Sequence, residues 1–343
     1  MEIIEKNYYK ILSIKDSDGS ISNSQVLVIG VTGIGKSTIT ESLVEEFHKF
    51  GYKVIYLTEK PYKSLESAFC MFKPKASYHV NALRIIGKEP KEQSAIIYHP
   101  ASLNIPLHRD LPPMKIFTIP LKSNSEEEFT MLYETTSKSD EVKASVNALK
   151  NLQKNEGLFS FFFYLEKLIK PEKEYLGTRI YTKREDQEGF FTKTPFAGSQ
   201  KTISDIKSDL SPFLQEFCLS PEDFEFNLDF KEMLKDQKNY SILTTAFIRN
   251  KKLRYYIRIW FLNQIIKTAS SWESKDGRLN PILIVVPEGK IFLPERTEEK
   301  YIKIASEILM NLLSTMRNIG KGFSSITDSQ NMYEISTSYR ESM

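Results

Sequence analysis

The sequence predicts an α/β protein with a mainly parallel central sheet and a mainly helical insertion. Three observations predict this. Short apolar runs of strand length, such as Val26-Leu27-Val28-Ile29, Val54-Ile55-Tyr56-Leu57 and Ile282-Leu283-Ile284-Val285-Val286, recur between helical patterns. Continuous rather than alternating apolar runs are the mark of strands buried on both faces. The first run passes through a glycine-rich turn straight into a helical pattern, which opens a βαβ unit. Between about 62 and 200 the alternation stops and prolines, then helices, take over.

In chain order, residues 1–25 read as a leading strand or two around 8–14, then a polar turn at Asp16-Ser17-Asp18-Gly19-Ser20. The strand at 26–29, the helix at 38–50 and the strand at 53–57 form the first βαβ unit. Gly51 is placed to end the helix in the left-handed conformation. Pro74, Pro90, Pro100, Pro106, Pro112, Pro113 and Pro120 then punctuate loops and one strand at 115–119. Ser125 with Glu128 makes a capping box for a helix at 126–136. Ser139-Asp140 opens a second helix running to about 155, broken by Gly157. A third, at 158–169, stops before Pro171. Its Phe159-Phe161-Phe162-Phe163-Tyr164 cluster reads as core more readily than as a base-stacking platform. The division expected is a discontinuous α/β domain, 1–61 and 201–343, interrupted by a helical inserted domain, 62–200.

The second half returns to alternation. Ser220-Pro221-Glu222-Asp223 carries the cap-plus-proline signature of a helix start. A strand at 241–247, a long helix at 251–270, a strand at 281–286, a helix at 297–318 capped by Gly320 and a strand at 323–327 follow.

Composition narrows the function classes. The chain has 343 residues, 41% hydrophobic and 27% charged, with a formal net charge of +3. That is enough for one large or two ordinary domains, and permits a nucleic-acid partner without arguing for one. Cys70 and Cys218 stand far apart, with no Cys/His cluster, so neither zinc nor a disulfide framework is indicated. His48, His79, His99 and His108 have no metal-like spacing. The N-terminus lacks a signal-peptide core and no apolar run is long enough to span a bilayer, so the expected location is the cytoplasm.

Gly30-Val31-Thr32-Gly33-Ile34-Gly35-Lys36-Ser37 matches G-x-x-x-x-G-K-[ST] in full. The glycines let the backbone curl so that successive N–H groups face a phosphate, and the following helix adds its positive dipole end. Gly30, Thr32, Gly33, Gly35, Lys36, Ser37 and Thr38 are the expected nucleotide contacts. Lys36 neutralises the β- and γ-phosphates and Ser37 gives an oxygen to Mg²⁺. The bound species expected is ATP with Mg²⁺.

Hydrolysis also needs a carboxylate by the γ-phosphate, expected on a strand adjacent to the loop strand. Pro287-Glu288 follows the apolar run at 282–286, where open α/β sheets place ligands. Glu288 is the candidate to polarise the attacking water and to hold the metal's outer shell; a solvated turn residue is the plainer reading. Gln330, past the last strand, is the candidate γ-phosphate sensor. Arg317, at the end of the preceding helix, is the candidate to stabilise transition-state charge in a neighbouring subunit, or else compensates its own helix dipole.

These stretches resemble the HerA/FtsK superfamily of hexameric DNA-pumping ATPases. The similarity rests on residues 26–38, on 282–292 with Glu288, and on Arg317-Asn318-Ile319-Gly320-Lys321-Gly322 leading to Gln330. Archaeal and mobile-element ATPases look most similar, and the insertion after the first βαβ unit is also similar to that of conjugative coupling proteins. The resemblance implies a RecA-like (ASCE) fold, ATP and Mg²⁺, and a homo-hexameric ring around DNA. It also implies Glu288 as the Walker B carboxylate, Gln330 as sensor and Arg317 as a finger acting in trans. A nuclease, a relaxase or a membrane complex would be fitting partners. Pro287 departs from the pattern, standing where the family has the Walker B Asp, which bears on turnover. The chain also stops at Met343 soon after the sensor, as a shortened member or a fragment would.

DNA contact is expected from Lys251, Lys252 and Arg254, which cluster with Arg249, Arg258, Tyr255, Tyr256 and Trp260 at the start of the long helix. The alternative is an ordinary solvent face. The leading expectation is a DNA-translocating ATPase. The rival is an ATP-dependent switch or assembly subunit with little turnover.

Overall fold

The computed structural model describes residues 25–30, 36–59, 93–101, 112–133, 140–152, 158–169, 181–183, 191–193, 200–216, 228–318, 322–337 and 340, with scattered positions from 80 to 89. The described strands are β1 (Gln25–Ile29), β2 (Lys53–Thr58), β3 (Ala95–Pro100), β4 (Met114–Phe117), β5 (Tyr181–Lys183), β6 (Phe191–Lys193), β7 (Tyr240–Thr244), β8 (Ile282–Val286) and β9 (Phe323–Ser329). β5 and β6 form a separate antiparallel pair. The other seven make one sheet, ordered β1-β9-β8-β2-β7-β3-β4, with every neighbouring pair parallel.

A parallel sheet needs helical crossovers that cover both faces, and the strands show it: β2, β7, β8 and β9 are buried at every position. On one face lies α1 (Lys36–Lys49), whose Val44 and Phe47 pack on Val54, Tyr56, Leu283, Val285 and Ile326. Gly51 ends it with a φ of 87°, as expected. Two later strands, β9 and β8, are inserted between β1 and β2. An all-parallel sheet with two later strands set between its first and second is of the RecA-like order that the sequence predicts.

The other face carries the helices that follow β4. These are α2 (Glu126–Leu132), α3 (Asp140–Asn151), α4 (Leu158–Ile169), α5 (Gln200–Glu216), α6 (Phe230–Lys235), α7 (Lys251–Ser270), the short α8 (Gly289–Phe292) and α9 (Lys300–Asn318). The Ser125–Glu128 capping box is present at α2. Asn250 caps α7 by accepting the Leu253 N–H at 3.2 Å. α7 is buried around most of its circumference, with Trp260 stacked on Phe117 at 5.7 Å, as a helix between a sheet and other helices must be. Phe161 of α4 is fully buried and stacks on Phe129, while Phe163 is exposed. Among the described residues no helix is long and apolar enough to cross a membrane.

Residues 95–100 and 114–117, counted with the helical insertion from the sequence, are strands of the main sheet. β3 escapes the sequence reading because its run, Ala95-Ile96-Ile97-Tyr98, is short and ends in His99-Pro100; the proline closes the strand rather than excluding it. α5 and α6 are likewise additions. The strands expected around 8–14, the helix start at Ser220-Pro221, Gly320 and both cysteines lie outside the described residues.

Candidate functional site

In a parallel sheet all the strands end at one edge, and here that edge gathers the predicted residues. β1 ends at Ile29, and the Gly30 N–H donates to the Ser329 carbonyl at 3.1 Å. α1 opens with Lys36 and Ser37, both partly buried, and Thr38 is buried beneath them. Its first turn holds no acidic residue, so the positive end of the helix faces the edge uncompensated. Thr32, Gly33 and Gly35 lie outside the described residues. The strand that enters the loop and the helix that leaves it are placed as the motif requires.

One expectation is corrected. The carboxylate-bearing strand was expected next to the loop strand, and β9 lies between them. β1 pairs with β9, Val28 opposite Asp328, and β9 pairs with β8, Val286 opposite Thr327. Chain order says nothing of this, because a crossover helix can carry the chain over one strand or several.

Glu288 follows β8 directly and caps α8 in the left-handed conformation, with φ 60° and ψ 57°. It is the one non-glycine with positive φ among the described residues. Such a conformation costs a bulky residue about 1–2 kcal/mol and persists only where the surroundings impose it. Two constraints impose it here. The Glu288 N–H donates to Asp328 Oδ1 at 2.7 Å. Next to it, Gly289 is pressed against β9: an added Cβ would collide with Thr327 Oγ1 and lie 2.5 Å from Ile335 Cδ1. Thr327 is itself fixed, donating from Oγ1 to the Val286 carbonyl at 2.8 Å.

Gln330 is exposed just beyond the tip of β9. The chain around it is tied down: Ser329 Oγ lies 3.0 Å from both the Asn331 carbonyl and Glu334 Oε2, and Asn331 caps the turn Met332–Glu334. The edge therefore brings together the start of α1 with Lys36, the β8 tip with Glu288 and the β9 tip with Gln330. Arg317 is not brought there. It sits in the last turn of α9, only a few residues before Phe323 starts β9 at the opposite edge of the sheet.

The cationic cluster of α7 is not one exposed stripe. Arg258 is 1% exposed, paired with Glu59 at the tip of β2, 2.7 Å from Thr245 Oγ1, and stacked 4.0 Å over the Phe292 ring. Arg254 pairs with the same Glu59 at 3.3 Å. Lys252 donates to the Leu132 carbonyl at 3.0 Å, and Lys251 is exposed, 3.9 Å from Glu299. Tyr255 Oη donates to the Ile291 carbonyl. Arg258 and Tyr255 thus both brace α8.

Sequence reasoning missed two residues at this edge. Asp328 had no assigned role, although an acidic residue inside a strand's last turnless positions, two before Gln330, was a usable signal. Glu59, at the end of β2, could be recognised only once its arginine partners were placed beside it.

No protein-family model and no curated protein matches the chain. Among solved structures, 36 chains match. One is a bacterial conjugative coupling protein, TrwBdeltaN70, in an unbound monoclinic form, with 11% identity, 93% of this chain and 67% of that chain covered, and a TM-score of 0.47. At that level of likeness the neighbour assigns no role to any residue of this chain.

Proposed function

We propose that the chain binds ATP with Mg²⁺ at the carboxyl edge of its sheet and hydrolyses it to drive the movement of DNA through a ring of identical copies. The observation that carries the reading is the convergence of three distant segments on one edge: the end of β1 and the start of α1 with Lys36, the strained β8 tip with Glu288, and the β9 tip with Gln330. Lys36 and the α1 dipole offset the phosphate charge, Glu288 orients and polarises the attacking water, and Gln330 reports the γ-phosphate. Hard oxygen donors at this edge, the Ser37 hydroxyl and nearby carboxylates, suit Mg²⁺, which keeps its waters and takes few protein ligands. Accordingly, its binding does not require a protein cage, and among the described residues no group of three His, Cys, Asp or Glu makes one.

Arg317 stands at the edge away from its own loop, so a role at a nucleotide is a role in a neighbouring copy. Of the three cations expected to meet DNA, Lys251 is the exposed one, loosely paired with Glu299 at 3.9 Å; Arg254 and Lys252 would first have to leave their present partners.

Phosphate release, measured with and without double-stranded DNA, tests the reading. Stimulation by DNA is expected, with loss of activity in Lys36→Ala and a fall of about 10²-fold or more in Glu288→Gln. Mixing Arg317→Ala subunits into wild-type assemblies should depress the rate more than dilution does. Full activity in Lys36→Ala would overturn the site assignment.

A second reading, an ATP-dependent switch with little turnover, is favoured by Pro287. It is buried at the β8 tip, where its side chain offers no oxygen to a metal. ATP binding and ATP-dependent assembly without phosphate release, with or without DNA, is the outcome that reading expects.

A further inference from the structure

A buried carboxylate at the same edge, so far noted for holding the Glu288 backbone, has no assigned role towards the nucleotide. Asp328 is 5% exposed on β9, the strand between the loop strand and β8. Keeping a charge there is costly unless its acceptor positions are used. The Glu288 N–H, 2.7 Å from Oδ1, uses one of the roughly four positions a carboxylate offers.

Its placement follows from strand alternation. Ile326 of β9 and Val285 of β8 both face α1, in one apolar cluster with Val28, Val44 and Phe47. Side chains two residues further on face the same way, so Asp328 and Pro287 both lie on the α1 side. Extending the β8–β9 register one step beyond Val286 opposite Thr327 sets Pro287 level with Asp328. In the opposite direction Asp328 stands opposite Val28 of the loop strand. α1, which packs over β9 as well as β1, β8 and β2, begins at this edge with Lys36-Ser37.

P-loop enzymes hold their Mg²⁺ with the loop Ser or Thr and one carboxylate. At the usual position this chain has Pro287. We propose that Asp328 supplies that carboxylate from the neighbouring strand, and that with Ser37 it holds the magnesium ion of a bound nucleoside triphosphate. The displacement is one strand spacing, about 4.8 Å, towards the phosphate loop and in the same layer. The same side chain anchors the Glu288 backbone, so metal site and water-orienting carboxylate share one group. This inference rests on the nucleotide-binding reading above.

The test is the affinity of the full chain for a fluorescent ATP analogue, in excess Mg²⁺ and in EDTA, expressed as the ratio of the two dissociation constants. Asp328→Asn keeps an oxygen for the Glu288 N–H and removes the charge. The ratio seen in wild type is expected to fall about tenfold or more in Asp328→Asn, the usual range for groups supporting a metal. It should be largely restored in Pro287→Asp/Asp328→Asn, which returns a carboxylate to the next strand. Asp328→Ser gives the same readout should the amide variant fold poorly. An unchanged ratio in either single variant overturns the role of Asp328 and leaves nucleotide binding standing. If wild type binds the analogue in neither buffer, both readings fall together.

Discussion

Glu288 holds a conformation that glycine adopts freely, at a position where glycine would satisfy the backbone. If its side chain served the fold, replacing it with glycine would weaken the protein. If it serves chemistry, Glu288→Gly should unfold at equal or higher urea concentration, with a gain of up to about 1 kcal/mol, because relief of the left-handed strain outweighs the added freedom of the unfolded chain. Phosphate release should be lost in the same variant. A clear loss of stability would mark Glu288 as structural. A second residue, Lys53, lies far from the site and makes a different point. It is 1% exposed, and its Nζ donates to the carbonyls of Asp236 at 2.6 Å and Asn239 at 2.7 Å. Burial lowers its pKa from 10.5 to about 8, with Asp236 pulling the other way. Between those values the unfolded chain holds the extra proton, so this residue makes stability rise with pH from about 8 to 10.5, while below about 8 its cost is constant. The unfolding free energy of wild type minus that of Lys53→Met should therefore climb across that window, by at most about 1.4 kcal/mol per pH unit. A flat difference would show that Lys53 is charged at the same pH in both states.

At the scale of elements, α7 was readable to the residue and its role was not. The helical run from Lys251 to Ser270 could be read locally, and the structure adds the Asn250 cap at its start. Which of its charges meet water depends on what packs against it. Arg258 looks like a surface cation in sequence and is instead buried against Glu59, Thr245 and Phe292. The partners come from the tips of β2 and β7 and from α8, and the charged one, Glu59, is 199 residues away in the chain. Removing Glu59 alone, as Glu59→Ala, leaves Arg258 buried without its carboxylate and should cost about 3 kcal/mol or more. Arg258→Met should cost less, since Glu59 keeps Arg254 at 3.3 Å. Urea unfolding of both single variants and the double should give a coupling energy of at least about 1 kcal/mol; strict additivity would mean that the pair contributes nothing to holding α8. β3 shows the reverse limit. Its run is too short to separate from a loop by pattern, and only pairing with β7 and β4 makes it a strand.

Across the whole molecule, the sequence revealed which segments carry chemistry but not how they are arranged. The phosphate-loop pattern, the apolar run before Glu288 and the strand before Gln330 could each be read locally, because glycine spacing and buried-strand composition are local properties. The order β1-β9-β8-β2 could not, since parallel neighbours are chosen by crossovers whose span is not encoded in any one stretch. That order is what sets Asp328 between the loop strand and the strand that leads to Glu288. The same arrangement makes the central claim open to direct inspection. In a structure of Glu288→Gln with ATP and Mg²⁺, the γ-phosphate should lie within hydrogen-bonding reach of Lys36, with residue 288 and Gln330 on either side of the space for a water. A nucleotide seated elsewhere, or bound at the loop with residue 288 and Gln330 both turned away from its terminal phosphate, would contradict the account.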